Sequence, residues 1–211
     1  MLYFEKIMTD KREHIINKAI ELFATKGFEG TSIRDLAAAA DVNVAMVNYY
    51  FGSKEKLFDA LIERKSVHSR ASLEELVKDK TMTGIEKVDR IIETYVERLF
   101  THRQFHRVIH QEMITDRRGA LTQSIVQAIF PNAVNIRTII EAAIKNNEFK
   151  KVDVPLTIAT LIGTINQVLL SQKFCVKLLD MDSNEVPYDD PKFKKRVINH
   201  IRQLMRDHLL K

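Results

Sequence analysis

The stretch DVNVAMVNYYFGSKEKLF, residues 41–58, sets apolar, amide and aromatic side chains directly beside a charged Ser-Lys-Glu-Lys run. A helix wholly inside a core hides its rings, and a helix wholly in water seldom carries three in succession. Tyr49, Tyr50 and Phe51 therefore belong to a helix with one buried face and one working face. Asn43 is a favoured N-cap for a helix running through Phe51, and Gly52-Ser53 breaks the chain before Ser53 caps a further helix from Lys54 onward.

The pattern continues upstream. Ser32 with Asp35 three residues on makes a capping pair, and IRDLAAAA gives a helix of about two turns that ends before Asp41. From Arg12, the residues Ile15, Ile16, Ala19, Ile20, Leu22 and Phe23 fall on one broad face, and Lys26-Gly27 supplies a basic last turn and a glycine stop. Four short helices thus fill the first third of the chain.

Beyond Lys80 the helices lengthen. Residues 79–84, DKTMTG, read as a hinge before an amphipathic helix carrying Ile85, Val88, Ile91, Ile92, Tyr95, Val96, Leu99 and Phe100. TDRRGALT, residues 115–122, holds a turn, and Phe130-Pro131 marks a boundary with Pro131 in the first turn of a helix carrying Ile136, Ile139, Ile140, Ala143 and Ile144. KNNEFKKVDVP is the next connection, followed by an apolar helix from Pro155 to about Leu179 and the acidic loop DMDSNEVPYDDP. The last helix shows Phe193, Val197, Ile198, Ile201, Leu204, Met205 and Leu209 as one stripe. No alternating run long enough for a sheet interrupts this series, so the expected fold is all-α. It comprises an N-terminal helix-turn-helix bundle, residues 8–56, and a larger helical domain, residues 57–211.

Composition narrows the class. The 211 residues are 45% hydrophobic, enough to fill a sizeable core. The single cysteine, Cys175, allows no intrachain disulfide and fits a reducing compartment. The N-terminus has no secretory pattern, Met8 is an alternative start to Met1, and polar residues interrupt Val154 to Leu179 too often for a membrane span. A cytoplasmic protein is expected. The net charge is +5, but residues 1–65 hold ten basic and ten acidic side chains, so the whole excess lies further on and bulk charge argues little for nucleic acid. No phosphate loop, nucleophile elbow or convincing carboxylate pair marks an enzyme, and no cofactor is expected.

A helix-turn-helix reader of DNA needs a small residue where its helices touch, a turn residue tolerating positive φ and an apolar anchor on the second helix. Ala37, Asp41 and Val47 stand at those places. The second helix would lay its N-terminal half in the major groove, with Val44, Ala45, Met46 and Asn48 toward base edges and Tyr49 and Tyr50 toward phosphates. Lys54 and the N-terminus of the fourth helix would grip another phosphate.

Residues about 12–60, through every helix of IINKAIELFATKGFEGTSIRDLAAAADVNVAMVNYYFGSKEKLFDALI, resemble the DNA-binding domain of the TetR family of transcriptional regulators. The resemblance covers roughly a quarter of the chain. It implies an all-helical homodimer whose second domain pairs through its last two long helices and binds a small effector that releases DNA. The DNA contacts it implies are Ser32, Arg34, Asn43, Ala45, Met46, Asn48, Tyr49 and Lys54. This chain departs from the family pattern at Asp41, usually glycine, at Asn43, usually serine, and at Asn48, usually tyrosine. The first two keep the physical roles of turn and cap, while the third removes a ring that touches phosphate.

In the second domain the helices about 155–179 and 193–209 are apolar around more of their circumference than one core requires, which predicts a homodimer seam built from them. An effector pocket is expected among Tyr95, Leu99, Phe100, Phe105, His106, Ile109 and Met113, its effector unidentified. In THRQFHRVIHQEM, His102, His106 and His110 recur every four residues, a spacing that fits a metal-sensing regulator or a helical-bundle metalloprotein; no metal is expected, since no other ligand completes the set. A protein-interaction module that never touches DNA is the remaining alternative.

Overall fold

The computed structural model describes residues 2–116, 118–180 and 187–211. Its helices are α1 (Leu2–Lys26), α2 (Ile33–Ala39), α3 (Val44–Phe51), α4 (Lys54–Lys78), α5 (Gly84–Thr101), α6 (Arg103–Thr115), α7 (Gly119–Lys145), α8 (Val154–Leu170), α9 (Gln172–Leu178) and α10 (Pro191–Leu209), with a 3-10 turn at Pro187–Asp189. No strand occurs among the described residues. They pack as two units, Met1–His68 with Gln104–Ile129 and Ser69–Arg103 with Phe130–Lys211. The division expected between residues 56 and 57 falls inside α4, because one uninterrupted helix leaves no linker there.

Helices α1 and α4 are 25 residues each, so only α2 and α3 are the short helices expected. The core of the first unit gathers Ile15, Ile16, Ala19 and Phe23 of α1, Leu36 and Ala37 of α2, Val47 and Phe51 of α3, and Leu57, Phe58, Leu61 and Ile62 of α4. At its centre the rings of Phe23, Phe28 and Phe58 meet at centroid separations of 5.0–5.4 Å. Stacked and edge-on aromatic pairs at this range add specific attraction to burial. Phe105 and Val108 of α6 and Leu121 and Ile125 of α7 complete the cluster.

In the second unit, Val88, Ile91, Ile92, Val96 and Leu99 of α5 pack with Ile136, Ile139 and Ile140 of α7 and with the inner faces of α8 and α10. Thr83 opens α5 with a reciprocal capping box to Glu86. The acidic edge of α5 is matched by basic residues of α10: Arg206 bonds Asp89, Arg202 lies 3.4 Å from Glu93, and Lys194 lies 2.6 Å from Glu97.

Several boundaries differ from the sequence expectation. Pro131 does not open a helix but sits inside α7. A proline there removes one hydrogen bond and crowds the preceding turn; Leu121, Ile125 and Ala128 on one side and Ile136, Ile139 and Ile140 on the other are buried, so packing holds both halves helical. The apolar helix expected over 155–179 is two helices, α8 and α9, bent by 91° at Ser171. The bend turns Cys175 and Val176 inward to burial, and the Cys175 thiol reaches the Gln167 carbonyl at 3.5 Å. No single described helix is long and apolar enough to cross a membrane; α8 and α9 meet that length and composition only as this bent pair. Of the acidic loop, residues 181–186 lie outside the described residues, while Tyr188 is buried and donates to the Val168 carbonyl at 2.8 Å. In TDRRGALT the turn contains Asp116 at φ 42°; Arg117 lies outside the described residues.

Candidate nucleic-acid interface

The turn between α2 and α3 is set by a Schellman closure. Val42 N–H donates to the Ala37 carbonyl at 3.0 Å and Asp41 N–H to the Ala38 carbonyl at 3.3 Å, with Asp41 at φ 51°. This pattern requires a left-handed residue at the position after the cap. Aspartate enters that region more readily than most side chains, which is why the chain manages without glycine. Ala37 is 3% exposed at the crossing of the two helices, and Val47 is fully buried as the anchor of α3.

Both helices have satisfied N-termini. Asn43 Oδ1 accepts from Met46 N–H at 2.7 Å, while Ser32 Oγ accepts from Asp35 N–H at 3.1 Å and the Asp35 carboxylate accepts from Ser32 N–H at 2.9 Å. Lys26 donates to Asp35 at 2.8 Å. This Lys26 contact, followed by the Ser32 bonds, holds the Asp35 carboxyl well below the usual carboxylate range.

Around this frame the structure sorts the candidate DNA contacts. Asn43, Val44, Ala45, Asn48 and Tyr49 are exposed, and Met46 is half-buried. Tyr49 stands 74% exposed, whereas Tyr50, its ring 5.4 Å away, is half-buried against the core and Phe51 lies within it. Ser32 and Arg34 are exposed at the start of α2. Lys54 is placed differently. Its ammonium donates to the carbonyls of Phe28 and Thr31, both at 3.0 Å, and lies 4.3 Å from the centre of the Phe28 ring. The residue expected at a phosphate instead caps the loop between α1 and α2.

A second cation joins that loop. Arg118 lies 4.7 Å from the Phe28 ring, bonds Glu112 at 3.0 Å and pairs with Glu29. The local sequence TDRRGALT places Arg118 in a turn, and nothing near it points to a partner some ninety positions upstream.

The candidate effector residues divide between the two cores. Tyr95, Leu99 and Phe100 belong to the second unit, and Phe105, Ile109 and Met113 to the first, where His106 also lies on α6. The histidine stripe is broken. His102 is the C-cap of α5 with φ −118° and ψ 31°, so only His106 and His110 share a helix. Among the described residues no group of three His, Cys, Asp or Glu could hold a metal ion.

A capped, outward-facing helix held across a tight turn from its supporting helix is the DNA-reading element of a helix-turn-helix regulator. The model of the family described as bacterial regulatory proteins, tetR family, matches residues 15–61. The HTH-type transcriptional repressor NicS of Pseudomonas putida is 30% identical over 155 residues, covering 72% of this chain and 71% of that protein. The protein described as "Probable HTH-type transcriptional regulator YttP" of Bacillus subtilis is 28% identical over 197 residues, covering 92% and 94%. Among solved structures, FadR from Bacillus subtilis in complex with stearoyl-CoA matches with a TM-score of 0.73 at 21% identity, over 92% of this chain and 96% of that one. PfmR from Thermus thermophilus matches with a TM-score of 0.69 at 21% identity, over 93% and 99%. The chain belongs to the TetR family and is a transcriptional regulator.

Proposed function

We propose that the protein is a repressor that binds a pseudo-palindromic operator as a homodimer and leaves it when a small-molecule effector binds. The observation that carries this is the exposed N-terminal half of α3, where Ala45 and Asn48 face solvent on a helix whose Val47 is wholly buried. Such a helix offers Asn48 to an adenine edge and Ala45 or Met46 to a thymine methyl. Ser32, Arg34, Asn43, Tyr49 and Tyr50 supply backbone contacts, with Tyr49 foremost by its exposure. The likeness to the repressor NicS supports repression as the direction of control.

Dimerisation through α8 and α10 follows from what they leave uncovered. Leu156 is 65% and Leu204 37% exposed, and a Cβ added at Gly163 would meet nothing within 4 Å. Among the described residues no packing requires that glycine, and a partner helix can approach closely there. A two-fold seam sets two copies of α3 on half-sites about one helical turn of DNA apart, roughly 34 Å, or a multiple of it. The FadR structure, solved with stearoyl-CoA, supports a small-molecule effector. Its binding favours a dimer whose α3 helices no longer match both half-sites, lowering operator affinity by a coupling free energy of about 1–3 kcal/mol. The protein acts in the cytoplasm, where its DNA is.

The test is a genomic-fragment binding selection on purified protein at stated salt, with the oligomeric state measured by ultracentrifugation. Recovery of one inverted repeat by a dimer is expected. Tyr49→Phe weakens binding to all sequences, whereas Asn48→Ala changes the preference among them. Only weak, salt-sensitive, sequence-blind binding would overturn the proposal in favour of an interaction module.

A further inference from the structure

The loop between α1 and α2, residues 27–31, has little slack. Thr31 is buried, its hydroxyl donates to the Gly27 carbonyl at 2.8 Å, and its N–H donates to the Phe28 carbonyl at 3.3 Å. A Cβ at Gly30 would run into the Lys26 carbonyl oxygen, so the turn closes tightly on the end of α1. Lys54 fastens the same segment through the carbonyls of Phe28 and Thr31. The next residue, Ser32, is already the N-cap of α2. A displacement of Phe28 is therefore passed on to Ser32 and to Arg34 two residues later, both of them exposed at the start of α2.

Arg118 reaches this loop from the turn between α6 and α7. Its backbone is set by α7, whose Leu121 and Thr122 N–H groups donate to the Arg118 carbonyl at 2.8 and 3.1 Å. Its guanidinium bonds Glu112 of α6 at 3.0 Å, pairs with Glu29 and lies 4.7 Å from the centre of the buried Phe28 ring. The Arg118 and Glu112 side chains are only 25% and 12% exposed, so solvent screens that pair little. The Glu29 side chain, by contrast, is 64% exposed, and an ion pair in that setting adds little stability. What the Glu29 contact fixes is direction. A guanidinium presents several N–H donors in a rigid fork, which suits it to holding two carboxylates in a set geometry.

We propose that Arg118 is a positioning residue for operator binding. It holds Phe28 and Glu29 against the α6–α7 turn, which fixes the direction in which α2 leaves the loop and so places Arg34 on the phosphate backbone; Arg118 itself touches no DNA. Binding groups work only when held within about 0.5 Å of their productive geometry, so a loosened loop loses the Arg34 contact without unfolding the bundle. This rests on the operator-binding reading above and deepens it by assigning a residue that lies far from the reading helix in sequence.

The experiment is a double-mutant cycle on the full-length protein, read as anisotropy of a labelled duplex carrying the inverted repeat recovered by selection. Arg118→Met and Arg34→Ala are each expected to weaken operator binding by about tenfold, and the double variant to lie within about threefold of the weaker single variant. A residue that merely stabilised the fold, or one that met a phosphate directly, would instead give the product of the two losses, about a hundredfold. Where circular dichroism shows that Arg118→Met does not fold, Glu29→Gln runs the same cycle, with an expected single loss of about threefold that disappears in the Arg34→Ala background. Binding by the Arg118 or Glu29 variant equal to wild type, Arg34→Ala without effect, or multiplied losses in the double variant overturns the inference. If the wild-type protein binds every duplex alike, the regulator reading itself falls; selective wild-type binding with any of those three outcomes removes the role of Arg118 alone.

Discussion

Replacing Lys54 by methionine separates two roles that a lysine at this position can have. In the structure its ammonium makes two hydrogen bonds of 3.0 Å, to the carbonyls of Phe28 and Thr31, and lies 4.3 Å from the Phe28 ring. A hydrogen bond to a charged group contributes about 1.5–3 kcal/mol when well shielded, and the half-exposed setting of Lys54 puts each of these near or below the low end. The ring contact adds about 0.5–1 kcal/mol. Methionine keeps the apolar stem, so Lys54→Met should cost about 2–3 kcal/mol of stability, measured as a drop in the midpoint of urea unfolding at unchanged slope. The DNA arm of the experiment follows anisotropy of a labelled duplex against salt concentration. Each phosphate neutralised contributes about −0.9 to the slope of log affinity against log salt. If Lys54 is committed inside the protein, the variant's slope equals that of the wild type. Stability within about 0.5 kcal/mol of wild type together with a slope shallower by about 0.9 would refute the internal role and return Lys54 to a phosphate.

The other predictions concern backbone, pH and packing. Asp41→Gly removes the Cβ from a residue held at φ 51° and should raise stability by about 0.5–1 kcal/mol, whereas Asp41→Val should lower it by more than that; chemical denaturation reads both, and a gain from valine would mean the turn rearranges. The depressed Asp35 pKa implies that its contribution is complete above the ordinary carboxylate value of 3.8 and is lost as pH falls through the folded value. Asp35→Asn should therefore flatten the acid limb of the stability profile below that pH, and an unaltered limb would place the loss elsewhere. Gly84 leaves no room for a side chain, since a Cβ there would fall 2.5 Å from Ala143 Cβ and 3.1 Å from Phe149. Gly84→Ala should lower the melting temperature through overpacking of about 1–3 kcal/mol, and an unchanged melt would mean that the 145–149 segment yields freely.

The sequence by itself determined the local half of this protein. Helix type, the Asn43 and Ser32 caps, the glycine stop at Gly27 and the left-handed turn at Asp41 depend on residues within four or five positions of one another, so they are visible as spacing. The buried faces of α1 to α4, with Val47 and Phe51 inward and Tyr49 outward, follow from the same periodicity. What spans the chain was decided only in three dimensions. Lys54 and Arg118 meet Phe28 from positions 26 and 90 residues away, and no local pattern encodes such a meeting. Pro131 stays helical because packing on both sides outweighs a local penalty, and the bend at Ser171 forms because burying Cys175 and Val176 competes with continuing a straight helix.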